Sequence, residues 1–285
     1  MASAPQLPAD DHTHSEWSWD AHAGSMAGSC ARAVELGLPA IAFTEHVDAT
    51  RWVLADRSRE ELVRDRHLVG EDGRFDPPPL DVDRYLASVD DCRARFPQLA
   101  ILTGVELGEP HRFRDRIAPL LASGGFERVL GSLHSVEFHG LPWLVDDAMS
   151  SDGPEDATQE AVLRSYLGEA AAMVADLPDE VQVLAHIDYP LRGWRGPFDP
   201  AAYEEPFRHV LTTLAASGRA LEVSTRVPLA PEIVAWWREV GGRAVSFASD
   251  AHEPSAVGHG FAAAAEMVEA SGFRRDRHPH GFWHR

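Results

Sequence analysis

The sequence has no lysine: all 26 of its Lys-plus-Arg positions are arginine. That excludes a Schiff-base lysine, a lysine general base and the lysine of a phosphate-binding Walker loop. Cysteine is scarce. Cys30 and Cys92 are the only two, in no paired-cysteine motif, which excludes a disulfide scaffold and points to a reducing, cytoplasmic compartment. No stretch approaches the ~18 apolar residues of a membrane span, and no basic segment followed by an apolar one marks a signal peptide. No G-x-S-x-G elbow is present. "GHGFAA" from Gly258 copies part of a dinucleotide fingerprint, but it follows a proline rather than a βα turn. Positive charge is also short. Forty-five acids against 26 bases leave a net charge of −19, which repels nucleic-acid backbones and sets no basic patch against them.

What is present is an alternation of short apolar runs with amphipathic stretches. The strands predicted are a short first one running into His12, then 40–44, 100–106, 128–134, 181–186, 219–224 and 243–249. These near-continuous apolar runs suit parallel strands buried on both faces. Between them, "SMAGSCARAVELG", "EAVLRSYLGEAAAMVADL" and "EEPFRHVLTTLAASG" carry helical spacing, the first and last ending in a glycine stop. The pattern predicts an α/β barrel or a doubly wound sheet. Two polar segments interrupt it, residues 47–80 and 139–158, and are expected to be lid-like loops.

The ends of the predicted strands carry the chemistry. The first ends at His12 and His14, with Asp20 on the following loop. The second ends at His46, the third at Glu106, the fourth at His134, the fifth at His186 and the seventh at Asp250 and His252. In a parallel barrel all these ends face one mouth. One zinc takes four ligands, so six histidines and three carboxylates suit two or three ions, with Glu106 or Asp250 able to bridge. Imidazole with carboxylate suits zinc, manganese or iron. His22 competes with Asp20 as a ligand, and His259 is placed to line the pocket. His67, His111, His139 and His209 lie in polar or helical context, and His278, His280 and His284 lie in the tail.

The ordered set "HTH", "TEH", "GVE", "SLH", "AHID" and "SDAH" resembles the polymerase-and-histidinol-phosphatase (PHP) family over residues 12–252. The resemblance implies one domain over 1–285, a distorted seven-stranded (β/α) barrel of TIM type. It further implies three divalent ions held by His12, His14, Asp20, His46, Glu106, His134, His186, Asp250 and His252, and hydrolysis of phosphate esters. "AFTEHVD" and "AHIDYPLR" look most like the stand-alone histidinol-phosphate phosphatases of histidine biosynthesis, although Ser224 stands where these often have asparagine.

The expected reaction is in-line attack on phosphorus by a hydroxide bridging two ions, with Arg192 and Arg226 holding the phosphate oxygens. Glu45 and Asp188 are expected to orient ligand imidazoles, and Asp188 or His252 to protonate the leaving oxygen. The partner is a small phosphorylated molecule; neither nucleic acid nor membrane is expected. One competing reading is a PHP phosphoesterase acting on nucleotides or other small esters. An amidohydrolase lacks its bridging lysine here, and a non-catalytic metal-binding protein would not need so complete a ligand set.

Overall fold

The structure is a computed structural model that describes residues 7–56, 58 and 65–285. Its main sheet has eight strands: β1 (Asp10–Thr13), β2 (Ala40–Val47), β5 (Ala100–Gly108), β6 (Arg128–Ser132), β9 (Val183–Leu184), β10 (Ala220–Ser224), β11 (Ala244–Ala248) and β12 (Trp283–His284), in that order. The first seven pair in parallel. The eighth, unexpected from the sequence, pairs antiparallel with β11. Two residues are too few to show a period, so only the tertiary pairing reveals it. The sheet curls until its first strand meets the exit of β11: His14 N–H donates to Ala251 O at 2.8 Å and Asp250 N–H to His12 O at 2.9 Å.

Helices follow most of the strands. In α1 (Met26–Leu36), Ser25 Oγ accepts from Gly28 N and Gly37 ends the helix in the left-handed region at φ 71°, as an N-cap serine and a C′ glycine do. α2 (Val82–Arg95), α3 (Arg114–Ser123), α5 (Gln159–Ala175), α6 (Glu204–Ser217), α7 (Pro231–Glu239) and α8 (Phe261–Ala270) complete the main set, with a four-residue turn α4 (Val145–Ala148). Their apolar faces and the outward side chains of the strands form one large core. Among the described residues, no helix is long and apolar enough to cross a membrane.

The two segments expected as lid-like loops contain short strands. β3 (Trp52–Val53) and β4 (Arg74–Phe75) come from the first, β7 (Ser135–Phe138) and β8 (Leu141–Leu144) border and occupy the second, and together they make a four-stranded sheet in the order β4-β3-β8-β7. Val53 pairs with Trp143 across the join. Trp52, Leu54 and Phe75 form a small core beneath Trp19 and Leu144. Residues 57 and 59–64 of the first segment, like residues 1–6, lie outside the described residues.

Candidate metal centre

Strand register brings the sequence-predicted residues together. His46 of β2 lies directly beside Glu106 of β5, and β1 carries His12 between β2 and the exit of β11. All nine of these ligand-type side chains converge at the C-terminal ends of the parallel strands, and they sort into three nests. In the first, His12 Nε2 and His14 Nε2 lie 3.0 Å apart. Glu106 Oε2 is 3.3 and 3.4 Å from those two nitrogens, and Asp250 Oδ1 is 3.7 and 3.2 Å away. In the second, Glu106 Oε1 is 3.0 Å from His134 Nε2 and 2.7 Å from His186 Nε2. In the third, Asp20 Oδ2 is 3.4 Å from His46 Nε2 and 3.0 Å from His252 Nε2. Glu106 therefore gives one oxygen to each of two nests.

Orienting partners fix several of these rings. With its proton on Nδ1, His12 donates to Glu222 Oε2 at 2.8 Å and His134 to Asp48 Oδ1 at 2.8 Å. His14 Nδ1 donates to Ser18 Oγ at 2.9 Å, and Ser18 in turn donates to Glu45 Oε2. His252 Nδ1 donates to Asp250 O at 2.9 Å. Each bond leaves an Nε2 lone pair aimed into the centre, the second-layer arrangement that sets ligand tautomer and basicity. Glu45 thus acts through Ser18 rather than on an imidazole itself. Glu222, Asp48 and Ser18 were missed by sequence reasoning. The signal at Glu222 was a single carboxylate inside the apolar strand "ALEVS".

The close fit of Asp48 depends on a missing side chain. A Cβ on Gly108 would fall 2.1 Å from Asp48 Oδ1 and 3.3 Å from His134 Nδ1. The backbone around His134 is pinned by Glu109, whose Oε1 accepts from His134 N at 2.7 Å and Ser135 N at 2.9 Å. Asp250 stands in the left-handed region at φ 51°, an uncommon conformation for a non-glycine residue; its bond to His12 O holds it there.

Electrostatics follow from burial and crowding. Burial alone would raise the Glu106 carboxyl, but His12, His134 and His46 hold it well below the usual carboxylate range. Burial would likewise lower His12, His46 and His134. Neighbouring carboxylates nonetheless raise all three well above the ordinary imidazole value: Glu106, Glu222 and Asp250 at His12, Asp20 and then Glu106 at His46, and Glu106 and Asp48 at His134. Burial and repulsion from His46 and His252 push His14 well below it.

The donor set fits divalent cations on one further observation. Among the described residues, Asp20 Oδ1, Glu106 Oε2 and both ring nitrogens of His46 are buried with no hydrogen-bond partner. Buried polar atoms are nearly always paired in native proteins, and these cluster where imidazole and carboxylate oxygens face one another. Among the described residues, four overlapping trios can each place their ligand atoms around one ion: His14–His46–His252, His12–His14–Glu106, His46–Asp48–His134 and Glu106–His134–His186.

The centre opens into a pocket of ≈ 90 Å³ lined also by Trp19, Trp52, Leu144, Asp146, Tyr189, Arg192 and Arg226. Arg192 and Arg226 both reach Asp250 Oδ2, Arg226 at 3.3 Å, and the Arg192 guanidinium lies 4.0 Å above the Tyr189 ring. Asp188 is buried but is not among the lining residues. Burial pushes its carboxyl up to about 7, against the pull of Arg192. His22 turns out to Asp65 at 3.1 Å, with 44 % of its side chain exposed, and His259 is exposed and absent from the lining.

A PHP domain signature matches residues 10–226. The chain belongs to the PHP domain family. Within it, the chain is similar to the histidinol-phosphatase of Lactococcus lactis subsp. lactis, 25% identical over 259 residues that cover 85% of this chain and 83% of that protein. The crystal structure of histidinol phosphate phosphatase from the same organism, complexed with zinc, L-histidinol and phosphate, superposes with a TM-score of 0.73 at 21% identity, over 94% of each chain. A solved chain from Listeria monocytogenes superposes with a TM-score of 0.65 at 16% identity, over 90% of this chain and 99% of that one. The PHP fold is thus shared well beyond the residues that the signature covers.

Proposed function

We propose that this PHP protein is a metal-dependent phosphomonoester hydrolase, a histidinol-phosphate phosphatase that converts histidinol phosphate and water to histidinol and phosphate in histidine biosynthesis. The observation that carries the reading is the division of Glu106 between two nests, with a third around Asp20 and two arginines at the rim. The named activity of the Lactococcus relative supports the substrate. We take the curled sheet as a seven-stranded (β/α) barrel of one domain, in the cytoplasm, with the short β12 added to it.

Three ions, zinc, manganese or iron, would be held by His12, His14, Glu106 and Asp250; by Glu106, His134 and His186; and by Asp20, His46 and His252. Asp20 is favoured over His22 because His22 faces Asp65. Bound divalent cations supply Lewis acidity, making water nucleophilic near neutral pH and offsetting charge on the phosphoryl oxygens.

The side chains supply the rest. Glu222, Asp48 and Ser18 hold the ligand rings in the tautomer that presents Nε2. Arg192 and Arg226 would grip the non-bridging oxygens, a geometry to which the guanidinium fork is suited. Arg192 is prealigned by stacking on Tyr189. The buried floor and the tryptophan wall of Trp19 and Trp52 restrict water. Of the two groups expected to protonate the leaving oxygen, Asp188 lies off the lining and His252 has its Nε2 on Asp20. Ligation through that nitrogen excludes proton donation from it, so His252 is assigned to the ions.

Purified protein supplied with manganese, zinc or iron tests the reading. It should release phosphate from histidinol phosphate in preference to nucleotide and sugar phosphates. Turnover confined to nucleotides would replace it with the competing phosphoesterase reading.

A further inference from the structure

The inner pocket leads into a larger outer cleft of ≈ 590 Å³. Asp146, Arg192 and Arg226 line both, so they frame the neck between them. Two arginines there suit a phosphate dianion. A carboxylate does not: it repels the group the site must admit. Asp20, Glu106 and Asp250 also line the inner pocket, but each pairs with imidazoles. Asp146 pairs with none among the described residues; its partner is the Tyr189 hydroxyl, which donates to Oδ2 at 3.4 Å. Its side chain is exposed on the first turn of α4 and lines the neck.

We propose that Asp146 selects phosphate esters whose leaving group carries a cationic nitrogen, by pairing with that nitrogen at the neck while the phosphate lies against Arg192, Arg226 and the metal centre. This rests on the phosphatase reading and assigns one residue to recognising the cationic part of its leaving group. With phosphate inside, the leaving group must pass the neck, where the Asp146 carboxylate is exposed beside the Tyr189 hydroxyl. The same carboxylate disfavours esters of neutral or anionic alcohols, which would meet it with no compensating charge. Specificity then has an attractive and a repulsive part at a single residue.

The test compares wild-type and Asp146→Asn holoenzyme on histidinol phosphate and glycerol phosphate. Loss of a charge-assisted hydrogen bond should raise KM for histidinol phosphate about tenfold or more, with a smaller change in kcat. KM for glycerol phosphate should fall, because a repulsive charge is gone. Asp146→Glu should recover part of the loss. Two analogues, one without the amino group and one with methyl in place of imidazole, identify the nitrogen: the one that no longer responds to Asp146→Asn has lost the partner. Weakened binding of free histidinol to Asp146→Asn, by calorimetry, gives a readout apart from turnover. KM values moving in the same direction by the same factor for both esters, or a response that survives in both analogues, would overturn the assignment while leaving the phosphatase reading intact. A wild-type enzyme with no preference for histidinol phosphate would overturn both.

Discussion

The two ends of the curled sheet both bury charge, but they settle it in opposite ways. Near the start of the strands, Arg128 of β6 donates from Nε to Asp11 at 2.8 Å and from Nη2 to His280 O at 2.8 Å, and it lies 4.4 Å over the Phe282 ring. Every part of that guanidinium faces a partner, and the tail from 280 onward closes the end. At the opposite end, six imidazoles crowd three carboxylates, and Glu106 Oε2 and Asp20 Oδ1 have no hydrogen bond among the described residues. A paired buried ion holds a fold in register, whereas buried acceptors left without donors mark a place built for a cation.

The largest effect should come from the shared carboxylate. Glu106→Gln removes one ligand from two nests, so bound metal should fall and phosphatase turnover should drop by more than the ~10–100-fold typical of outer-layer partners. Metal analysis beside a circular dichroism spectrum checks it; full metal content with full activity would erase the contrast between the ends. Arg128→Ala should act only on folding. It strands Asp11 in the interior, and losing one partner of a buried pair costs about 3–5 kcal/mol. Denaturant unfolding should register that loss, with turnover per folded molecule unchanged. An intermediate effect is expected at Glu222→Gln, which loosens His12. Affinity for metal should fall roughly 10–100-fold, as read by competition with a chelator, while unfolding stability of the metal-free protein changes less than in Arg128→Ala.

The smallest effect belongs to the surface. At Glu169 the His111 hydrogen bond is the largest influence and, with the Arg112 guanidinium, holds the carboxyl below its ordinary value against partial burial. A depressed carboxyl contributes stability above its unfolded value of 4.5, and that contribution fades as pH falls through the folded value. For a pair 29% exposed on the glutamate side, solvent screening limits it to less than about 1 kcal/mol. Glu169→Gln should flatten the acid limb of the stability curve slightly and leave metal content untouched.

Much of this contrast could be read from the sequence. Apolar runs located the parallel strands after the first because strands covered on both faces need no alternation, and the first was marked only by its run into His12. Ligand-type residues at their ends located the mouth because parallel strands all finish on one side. The orienting layer was not legible. Glu222 reaches His12 across 210 positions and Asp48 reaches His134 across 86, and only strand register decides such meetings. The second sheet was missed because Trp52–Val53 and Arg74–Phe75 are two residues each, and Val53 finds Trp143 from a distant segment. The lining acid Asp146 sits in the polar run "DDAMSSDGPEDAT", where nothing local separates it from its solvated neighbours.

Crystals grown with manganese and measured for anomalous scattering test the central claim most directly. The account predicts three peaks at the C-terminal rim, at about 2.0–2.3 Å from imidazole nitrogens and carboxylate oxygens, with Glu106 between two of them. A rim without peaks, or Glu106 turned from both neighbouring nests, would contradict it.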